Sequence, residues 1–521
     1  MVSIRHLVAS IRHERVRARH VNPASPAQLM ATVEALASFG EKRVGTPAGA
    51  RAGAYIHDRM RGAGLTDVRF EEFNFPRHDV LGAALVLRTP GGPPWTPGFD
   101  VFEGAGAGDI DAPVVSVGAA TEEELAGVEL AGKVALVERH RFYHRSTQYR
   151  NVARAGALAM IDISGAPDNL RQVGSVRRGF ESMGPIPALT LGADDGERLL
   201  ALVRAGKPMH AIIELHAATT AATGANVVAR VPGREPHLGT IVVGAHYDTW
   251  FQGATDNGGG VAALLALAEL RAAREMPRYP IVFVAWDGEE VALYGGYDWL
   301  RKHSILAGEH VLAVLNFETP SALGGLFNGL AHSGCPCLDG ALRAGGLDRL
   351  YPGYLPMSDV PKIFGGIIPT DIQGAHRMGI PVASTACDSP YYHTSADTPE
   401  KLDADQLARA VLGFDRTIDA LLASEPRLPR EPHHDLDLWY AHVTRAAQAP
   451  ARILITDAHG VPQANVPVEA VLLVDDFFLS AEHQLVTDGS GSAWLDLPPS
   501  PGWLHVGAGP SYPLCEAIVP L

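Results

Sequence analysis

One short segment of the chain carries a histidine and two aspartates, residue types that bind metal ions. His246 ends the apolar run TIVVGAH, Asp248 follows two residues later, and Asp256 precedes an asparagine and three glycines. A neutral imidazole and a carboxylate suit Zn²⁺, and Asp248 could orient His246 by accepting its other ring proton. Taken alone, the segment is equally compatible with a surface turn before a helix, whose N-terminus favours acidic residues. The glycines lack the lysine of a phosphate-binding P-loop.

Three further segments place carboxylates and a histidine after apolar runs. IVFVAW is followed by the adjacent Glu289 and Glu290, VLAVLNF by Glu318, and IPVAST by a loop with Tyr392 and His393. If one of two neighbouring glutamates binds a metal, the other can take a proton from the metal-bound water. Seen alone, a Glu-Glu pair is usually a solvated surface pair, and a loop histidine is usually a surface residue. Glu318 closes a buried strand and therefore needs a partner.

These residues lie just beyond the ends of four apolar runs, where open α/β sheets place their ligand sites. Each signal is weak by itself. Five ligand-type residues and a base at four strand ends nevertheless form a constellation that chance rarely supplies. The sequence therefore predicts a hydrolytic metal centre at the carboxyl edge of a sheet.

The elements that must position this centre follow from hydrophobic periodicity. Helical spacing appears at 27–39 and 48–64 and is followed by a short strand at 67–73. Apolar strands alternate with helices from 226 to 424, which predicts a mainly parallel mixed α/β sheet flanked by helices. The tail from 452 shows only strands and turns, as a β-sandwich does.

We predict a division of the chain into five parts. The first is an N-terminal extension at 1–25. The segments 26–79 and 217–427 together form a catalytic domain and are separated by a β-rich insert at 80–216. The fifth part, at 428–521, is a linker helix with a C-terminal β-sandwich. The length of 521 residues agrees with three or four domains.

Composition excludes several classes of protein. With 43 Lys and Arg against 58 Asp and Glu, the net charge of -15 disfavours nucleic-acid binding. No apolar stretch approaches the roughly 20 residues of a membrane span, and the N-terminus shows no signal-peptide pattern, so we expect a cytoplasmic protein. The four cysteines are sparse and are expected to be reduced thiols; Cys335 and Cys337 have no assigned role.

The segments HYD, GATDNGGG, WDGEE, NFE and YYHTSADT resemble the dizinc metallopeptidase family of aminopeptidases and glutamate-carboxypeptidase-like exopeptidases. The resemblance covers about 26–425. It implies two Zn²⁺ ions bridged by Asp256, with His246 and Glu318 completing one site and Glu290 and His393 the other. It also implies that Glu289 is the base and that Tyr392 can donate to the oxyanion. Glu318 stands where many relatives have Asp, and Asp371 and Asp388 are further acidic residues nearby.

The insert at 80–216 resembles a protease-associated domain, which in relatives packs beside the catalytic cleft. Its segment ERHRFYHRSTQYRNVARAG contains four arginines that could bind a substrate carboxylate, although each alone is more simply a solvated surface residue: Arg139, Arg141, Arg145 and Arg150. The tail is similar to transthyretin-like or Ig-like β-sandwiches rather than to the helical dimerisation domain of receptor-like relatives. A role in packing or in a homodimer is compatible with it.

The resemblance implies a zinc-dependent exopeptidase that acts through a two-metal-bridged hydroxide. We expect an aminopeptidase slightly before a dipeptidase or carboxypeptidase, because free amines suit an acidic cleft. The pattern is also compatible with a hydrolase of non-peptide amides on the same scaffold, with a noncatalytic receptor-like protein and with a single-zinc glutaminyl cyclase. The expected substrate is therefore a peptide or a small amide.

Overall fold

A computed structural model describes residues 22–140, 142–177, 179–424, 438–445, 450–474, 477–497 and 502–521. Arg141, nearly all of the N-terminal extension and the segment expected to hold the linker helix lie outside these residues.

A large mixed sheet organises most of the chain. Its strands are β1 Thr66–Arg88, β2 Phe99–Val101, β3 Gly108–Ser116, β4 Val134–Glu138, β5 Ala159–Ile163, β6 Ala188–Leu191, β7 His210–Val231, β8 Thr240–His246, β9 Ile281–Trp286, β10 Val311–Asn316, β11 Asn328–His332, β12 Gly353–Pro356 and β13 Val382–Cys387. They run in the order β12-β11-β13-β10-β8-β9-β7-β3-β4-β5-β6-β2, and β1 pairs with β7 outside this path. Strands β13, β10, β8 and β9 are parallel to one another, and so are β3, β4, β5 and β6. The predicted mixed, mainly parallel α/β fold is therefore confirmed.

Strands β1 and β7 form a long antiparallel ribbon that joins the two parallel groups. The short strand predicted at 67–73 is wrong in extent, because pairing with β7 carries β1 on to Arg88, just before the Gly/Pro-rich run that starts at Thr89. The ribbon crosses positions 80 and 216, at which the sequence suggested the insert boundaries; those boundaries stay a prediction.

Helices cover both faces of the sheet. The α-helices are Pro26–Ala37, Pro47–Gly62, Glu122–Leu125, Arg145–Arg154, Ala193–Arg204, Gly259–Ala272, Tyr294–Trp299, Pro336–Gly345, Leu347–Leu350, Val360–Ile363, Gln373–Arg377 and Ala404–Ala423. Short 3₁₀ turns lie at Pro236–Leu238, Met357–Asp359 and Pro399–Lys401, and wider π-type turns at Ala254–Gly258 and Leu300–Leu306.

Local sequence explains these helices. The second helix begins where the Thr46 side chain accepts the Gly49 N–H and a proline occupies the first turn. Helix Gly259–Ala272 is apolar on nearly all sides and is buried on nearly all sides. Helix Ala404–Ala423 instead buries one stripe, and the Asp403 carboxylate accepts the N–H groups of Asp405 and Gln406 at its start. The helices predicted at 27–39 and 48–64 are thus observed with C-termini two residues shorter.

The C-terminal region is a sandwich of two antiparallel sheets, as predicted. Strands β14 Trp439–Thr444, β15 Ala451–Asp457 and β18 Ser492–Leu495 form one sheet, and β16 Pro467–Val474, β17 Phe478–Val486, β19 Trp503–Ala508 and β20 Cys515–Pro520 form the other. Buried aliphatic side chains fill the space between the sheets, among them Ile453, Ile455, Val468, Leu504 and Val506.

The sandwich packs directly on the rest of the chain. Phe477 is fully buried and contacts Phe180 of the insert and Tyr294 of the catalytic domain. The guanidinium of Arg301 lies 4.0 Å from the Phe477 ring centroid, and Arg377 forms a 2.6 Å ion pair with Glu516. Aromatic packing and a largely buried ion pair therefore fix the sandwich against the catalytic domain.

None of the helices in the described ranges is long and apolar enough to cross a membrane. All four cysteines are free thiols in this part of the chain.

Candidate metal centre

The parallel strands β8, β9, β10 and β13 end at one edge of the sheet, and the predicted residues follow those ends. His246 is the last residue of β8, and the loops after β9, β10 and β13 carry the others. Two clusters of potential ligands result, one of His246, Asp256 and Glu318 and one of Asp256, Glu290 and His393. Within each cluster the ligand atoms lie within 4.8 Å of one another. The structure thus brings together all five predicted ligands.

The first cluster points acceptor atoms at one another. The Nδ1 of His246 lies 2.9 Å from the main-chain oxygen of Asp248, and a carbonyl oxygen only accepts, so Nδ1 carries the proton. When the ring is neutral, as a metal ligand must be, its Nε2 offers a lone pair. It lies 3.1 Å from Oδ1 of Asp256 and 3.2 Å from Oε1 of Glu318. Three acceptors facing each other are the ligand set of a cation.

The second cluster repeats this arrangement. His393 Nδ1 donates to the main-chain oxygen of Val173 at 3.2 Å, which leaves Nε2 to face Oδ2 of Asp256 and Oε2 of Glu290, both at 3.0 Å. Asp256 therefore gives one carboxylate oxygen to each cluster. Its Oδ1, the Oε1 of Glu290 and the Nε2 of His393 are buried without a hydrogen-bond partner. Buried polar atoms normally have partners, so the donor set fits two cations that share Asp256.

The electrostatics of the centre agree with a cation site. Burial disfavours protonation of His246, but the surrounding carboxylates of Glu318, Asp248 and Asp256 outweigh it and raise the pKa of His246 well above its ordinary value. Burial likewise lowers the pKa of His393, but the carboxylates of Glu290 and Asp256 outweigh this effect and raise the pKa above its ordinary value. The carboxylates of the pocket therefore favour positive charge at this position, and a bound metal ion would supply that charge.

Asp248 orients both sides of the centre. Its carbonyl accepts the ring proton of His246, whereas its Oδ1 is 3.6 Å from that nitrogen. The carboxylate instead accepts the main-chain N–H groups of Glu289 at 3.2 Å and Glu290 at 3.1 Å. The predicted orienting role thus falls mainly to the main chain, and the carboxylate fixes the loop that carries the two glutamates.

Two residues that support the ligands were missed in the sequence. The Asp397 carboxylate accepts the N–H and hydroxyl of Thr255 at 2.9 and 2.7 Å and the N–H of Asp256 at 3.1 Å. Trp250 donates its indole N–H to Oε2 of Glu290 at 2.7 Å. Asp397 stands four residues after His393, which is a weak signal, and Trp250 offers none.

Glu289 lies beside the ligands and lines the cleft. Burial raises its pKa well above the ordinary value, and the charges of Glu318, Glu290 and Asp371 raise it further against the opposing effect of His246. A carboxyl group with a raised pKa holds a proton more readily, which suits a proton-transfer group. Of the two further acidic residues, Asp371 is buried close enough to contribute to this effect, whereas Asp388 accepts the main-chain N–H of Leu326.

Tyr392 shares the cleft wall with Glu289. Its ring stacks on His393 with centroids 3.7 Å apart, and burial raises its pKa well above the ordinary value. The hydroxyl is therefore protonated at neutral pH and able to donate a hydrogen bond.

The cleft has a volume of about 510 Å³ and is lined by the catalytic domain, the insert and the sandwich. Of the predicted arginines, Arg139 is paired with Asp162 at 2.6 Å and Arg150 with Glu181 at 3.4 Å. Arg145 lines the cleft, is 7% exposed, and donates Nε to the main-chain oxygen of Ser175 at 2.9 Å. Within the described ranges no carboxylate lies within 4.0 Å of its guanidinium. Among the buried arginines there, namely Arg145, Arg177, Arg271, Arg301 and Arg377, it alone has no carboxylate partner.

Two family models match the chain. Residues 226–414 match the model described as Peptidase family M28, and residues 109–199 match the PA domain. The five predicted ligands lie within the first of these segments.

The chain matches curated relatives over part of the length of each relative. The "Probable glutamate carboxypeptidase AMP1" of Arabidopsis thaliana is 29% identical over 241 residues, which are 42% of this chain and 33% of the relative. The "Probable glutamate carboxypeptidase VP8" of Zea mays is 27% identical over 461 residues, 72% of this chain and 63% of the relative. The chain thus spans between about a third and two thirds of these relatives.

Solved structures share the fold. A zinc aminopeptidase from Bacillus subtilis superposes with a TM-score of 0.60 at 20% identity, over 78% of this chain and 98% of that one. An aminopeptidase from Aneurinibacillus sp. strain AM-1 gives a TM-score of 0.57 at 22% identity, over 76% and 93%.

Proposed function

We propose that the protein is a zinc-dependent exopeptidase, because residues 226–414 match the model of peptidase family M28. Asp256 carries the proposal, since it offers one oxygen to each of two histidine–glutamate pairs. A site of this kind holds two ions, one with His246 and Glu318 and one with Glu290 and His393. Imidazole nitrogen and carboxylate oxygen are ligands that Zn²⁺ accepts.

When bound, the ions polarise the scissile carbonyl and lower the pKa of the attacking water. The residues of the chain supply the rest of the chemistry. Glu289 takes a proton from that water and returns it to the leaving amine, which its raised pKa favours. The Asp248 carboxylate holds the N–H of Glu289 and so fixes the base beside the ligands. Tyr392 donates its hydroxyl to the oxygen on which negative charge develops.

Arg145 favours recognition of a substrate carboxylate. A buried guanidinium without a charged partner is costly unless a ligand brings the anion, and the terminal carboxylate of a peptide can accept two parallel hydrogen bonds from it. Arg145 lines the same cleft as Asp256 and Glu289. We therefore place carboxypeptidase or dipeptidase action ahead of the aminopeptidase action that was slightly favoured on the ground that free amines suit an acidic cleft.

The test is an assay of the zinc-loaded protein on three forms of one tripeptide: with both ends free, with the N-terminus acetylated, and with the C-terminus amidated. For carboxypeptidase action we expect C-amidation to lower kcat/KM by about 100-fold, since a hydrogen bond to a charged group contributes roughly 1.5–3 kcal/mol, and N-acetylation to matter little. Dipeptidase action should leave the tripeptide uncleaved. Arg145→Ala should lose this discrimination, while Arg150→Ala, whose arginine is paired with Glu181, should keep it. Loss of cleavage on N-acetylation alone would instead identify an aminopeptidase.

Two competing functions can be separated from this one by direct measurement. The second cluster, formed by Asp256, Glu290 and His393, argues against a single-zinc glutaminyl cyclase. Cyclisation of a peptide with an N-terminal glutamine by this protein would support the cyclase instead of the exopeptidase. A receptor-like protein would lack the ligands or the base, whereas the chain has all of them. A wild-type protein that binds no zinc would refute the proposed function.

A further inference from the structure

In the described part of the insert, the hydrogen bonds to the loop of His393 come from one pair of residues, Gln172 and Val173. Val173 donates its main-chain N–H to the oxygen of His393 at 3.1 Å and accepts the ring proton of the same histidine at 3.2 Å. Gln172 donates its side-chain amide to the main-chain oxygen of Tyr392 at 3.1 Å. A residue pair 220 positions upstream of the ligand therefore holds both its main chain and its ring.

His393 needs such support. Its φ angle is +58°, in the left-handed region where a residue other than glycine costs on the order of 1–3 kcal/mol and persists only if its surroundings fix it. The contact with Val173 also decides the tautomer, because a proton held on Nδ1 leaves Nε2 as the ligand atom.

The other histidine is supported differently. His246 gives its ring proton to the oxygen of Asp248, two residues away in the same domain. Among the described residues, the insert makes no hydrogen bond to His246 or Glu318. Within the described ranges, the insert is thus hydrogen-bonded to the cluster of Glu290 and His393 and not to that of His246 and Glu318.

We propose that Gln172 is a positioning residue for His393, and that the Gln172–Val173 segment couples docking of the insert to metal binding in the cluster of Asp256, Glu290 and His393. This inference rests on the proposed function only in requiring that the clusters bind metal. Coupling between two events is reciprocal, so metal bound at His393 also stabilises the docked insert.

The insert has other anchors on the catalytic domain. The Thr147 hydroxyl donates to the oxygen of Gly365 at 3.2 Å, and Arg177 donates to the oxygen of Pro76 at 2.7 Å. Loss of the Gln172 side chain therefore leaves the insert docked and disturbs the loop of His393. Thr147→Val is a matched control, since it removes one insert–catalytic-domain hydrogen bond on a different loop.

The experiment measures Zn²⁺ affinity of the full chain by competition with a chromophoric chelator, for the wild type, Gln172→Ala and Thr147→Val. Groups that orient metal ligands typically alter affinity 10–100-fold. We expect Gln172→Ala to lower the affinity for one of the two Zn²⁺ ions by about that factor and to leave the affinity for the other unchanged. The melting temperature of the chelator-treated variant should stay near that of the chelator-treated wild type. Thr147→Val should leave both affinities unchanged.

Equal affinities in the wild type and Gln172→Ala would overturn the inference, and so would a loss in Thr147→Val as large as in Gln172→Ala. A wild type that binds no Zn²⁺ would overturn the proposed function as well. Hydrogen exchange of the wild type gives a test without substitution: exchange of the Val173 amide should slow at least several-fold when Zn²⁺ is added. An unchanged rate would contradict the coupling.

Discussion

His303 should make the stability of this protein depend on pH in a defined window. The ring lies between two carboxylates, with Nε2 3.0 Å from Glu71 and Nδ1 3.1 Å from Glu309, and it stacks on Trp299 at 4.7 Å. Burial lowers the pKa of His303, but the hydrogen bonds to Glu309 and Glu71 outweigh it and raise the pKa from 6.5 to about 9. The imidazolium thus links strand β1 to the turn after helix Tyr294–Trp299.

The sign and size of the effect follow from this pKa. Because the folded value lies above the unfolded one, the stabilisation is complete below about pH 6.5 and is lost as the pH rises through about 9. A difference of one in pKa corresponds to about 1.4 kcal/mol, so the contribution is up to about 3 kcal/mol. His303→Asn should therefore reduce the free energy of unfolding by up to this amount at pH 6 and by much less at pH 10.

Chemical denaturation of the two proteins at intervals between pH 6 and pH 10 measures this difference. His310→Asn is the matched control, because the His310 ring donates to an uncharged partner, the main-chain oxygen of Leu238, at 3.0 Å. A difference between wild type and His303→Asn that stays constant across this range would refute the assignment of His303 as a paired imidazolium.

Three further outcomes concern the metal centre. Glu289→Gln should keep both zinc ions, measured by elemental analysis, and lower kcat by about 10²–10⁴-fold, the usual contribution of a proton-transfer group; full activity would exclude it as the base. His393→Ala should retain less than the wild-type amount of zinc after dialysis, and full retention would exclude it as a ligand. Asp397→Asn places an amide where three donors converge, so thermal or urea unfolding should show a loss of about 1–3 kcal/mol; an unchanged midpoint would contradict this role.

The centre could be predicted from the sequence because its ligands are side chains of distinctive type at the ends of apolar strands. His246 and Glu318 directly end or follow such strands, and parallel strands bring their carboxyl ends to one edge. The same reasoning predicted the two-sheet tail, since alternating short strands need a second sheet to bury their apolar face.

What escaped prediction depends on main-chain or distant contacts. The partner of His393 is the carbonyl of Val173, and a carbonyl has no sequence signature. The partner of Glu290 is the indole of Trp250, a residue that in isolation predicts only burial. Strand β1 proved longer than its local pattern because β7, more than a hundred residues away, supplies its hydrogen bonds. Arg145 was one of four equivalent arginines in the sequence, and the ion pairs of Arg139 and Arg150 distinguish those two from it, while Arg141 lies outside the described residues.

The buried position of Phe477 has a consequence for how the chain can be divided. This one ring contacts Phe180 of the insert and Tyr294 of the catalytic domain while it belongs to the tail. Three modules that look separable along the sequence therefore share a single hydrophobic junction and should unfold in one cooperative transition. Exchange of the tail between homologous chains would succeed only if the aromatic residues on both sides of this junction were transferred together.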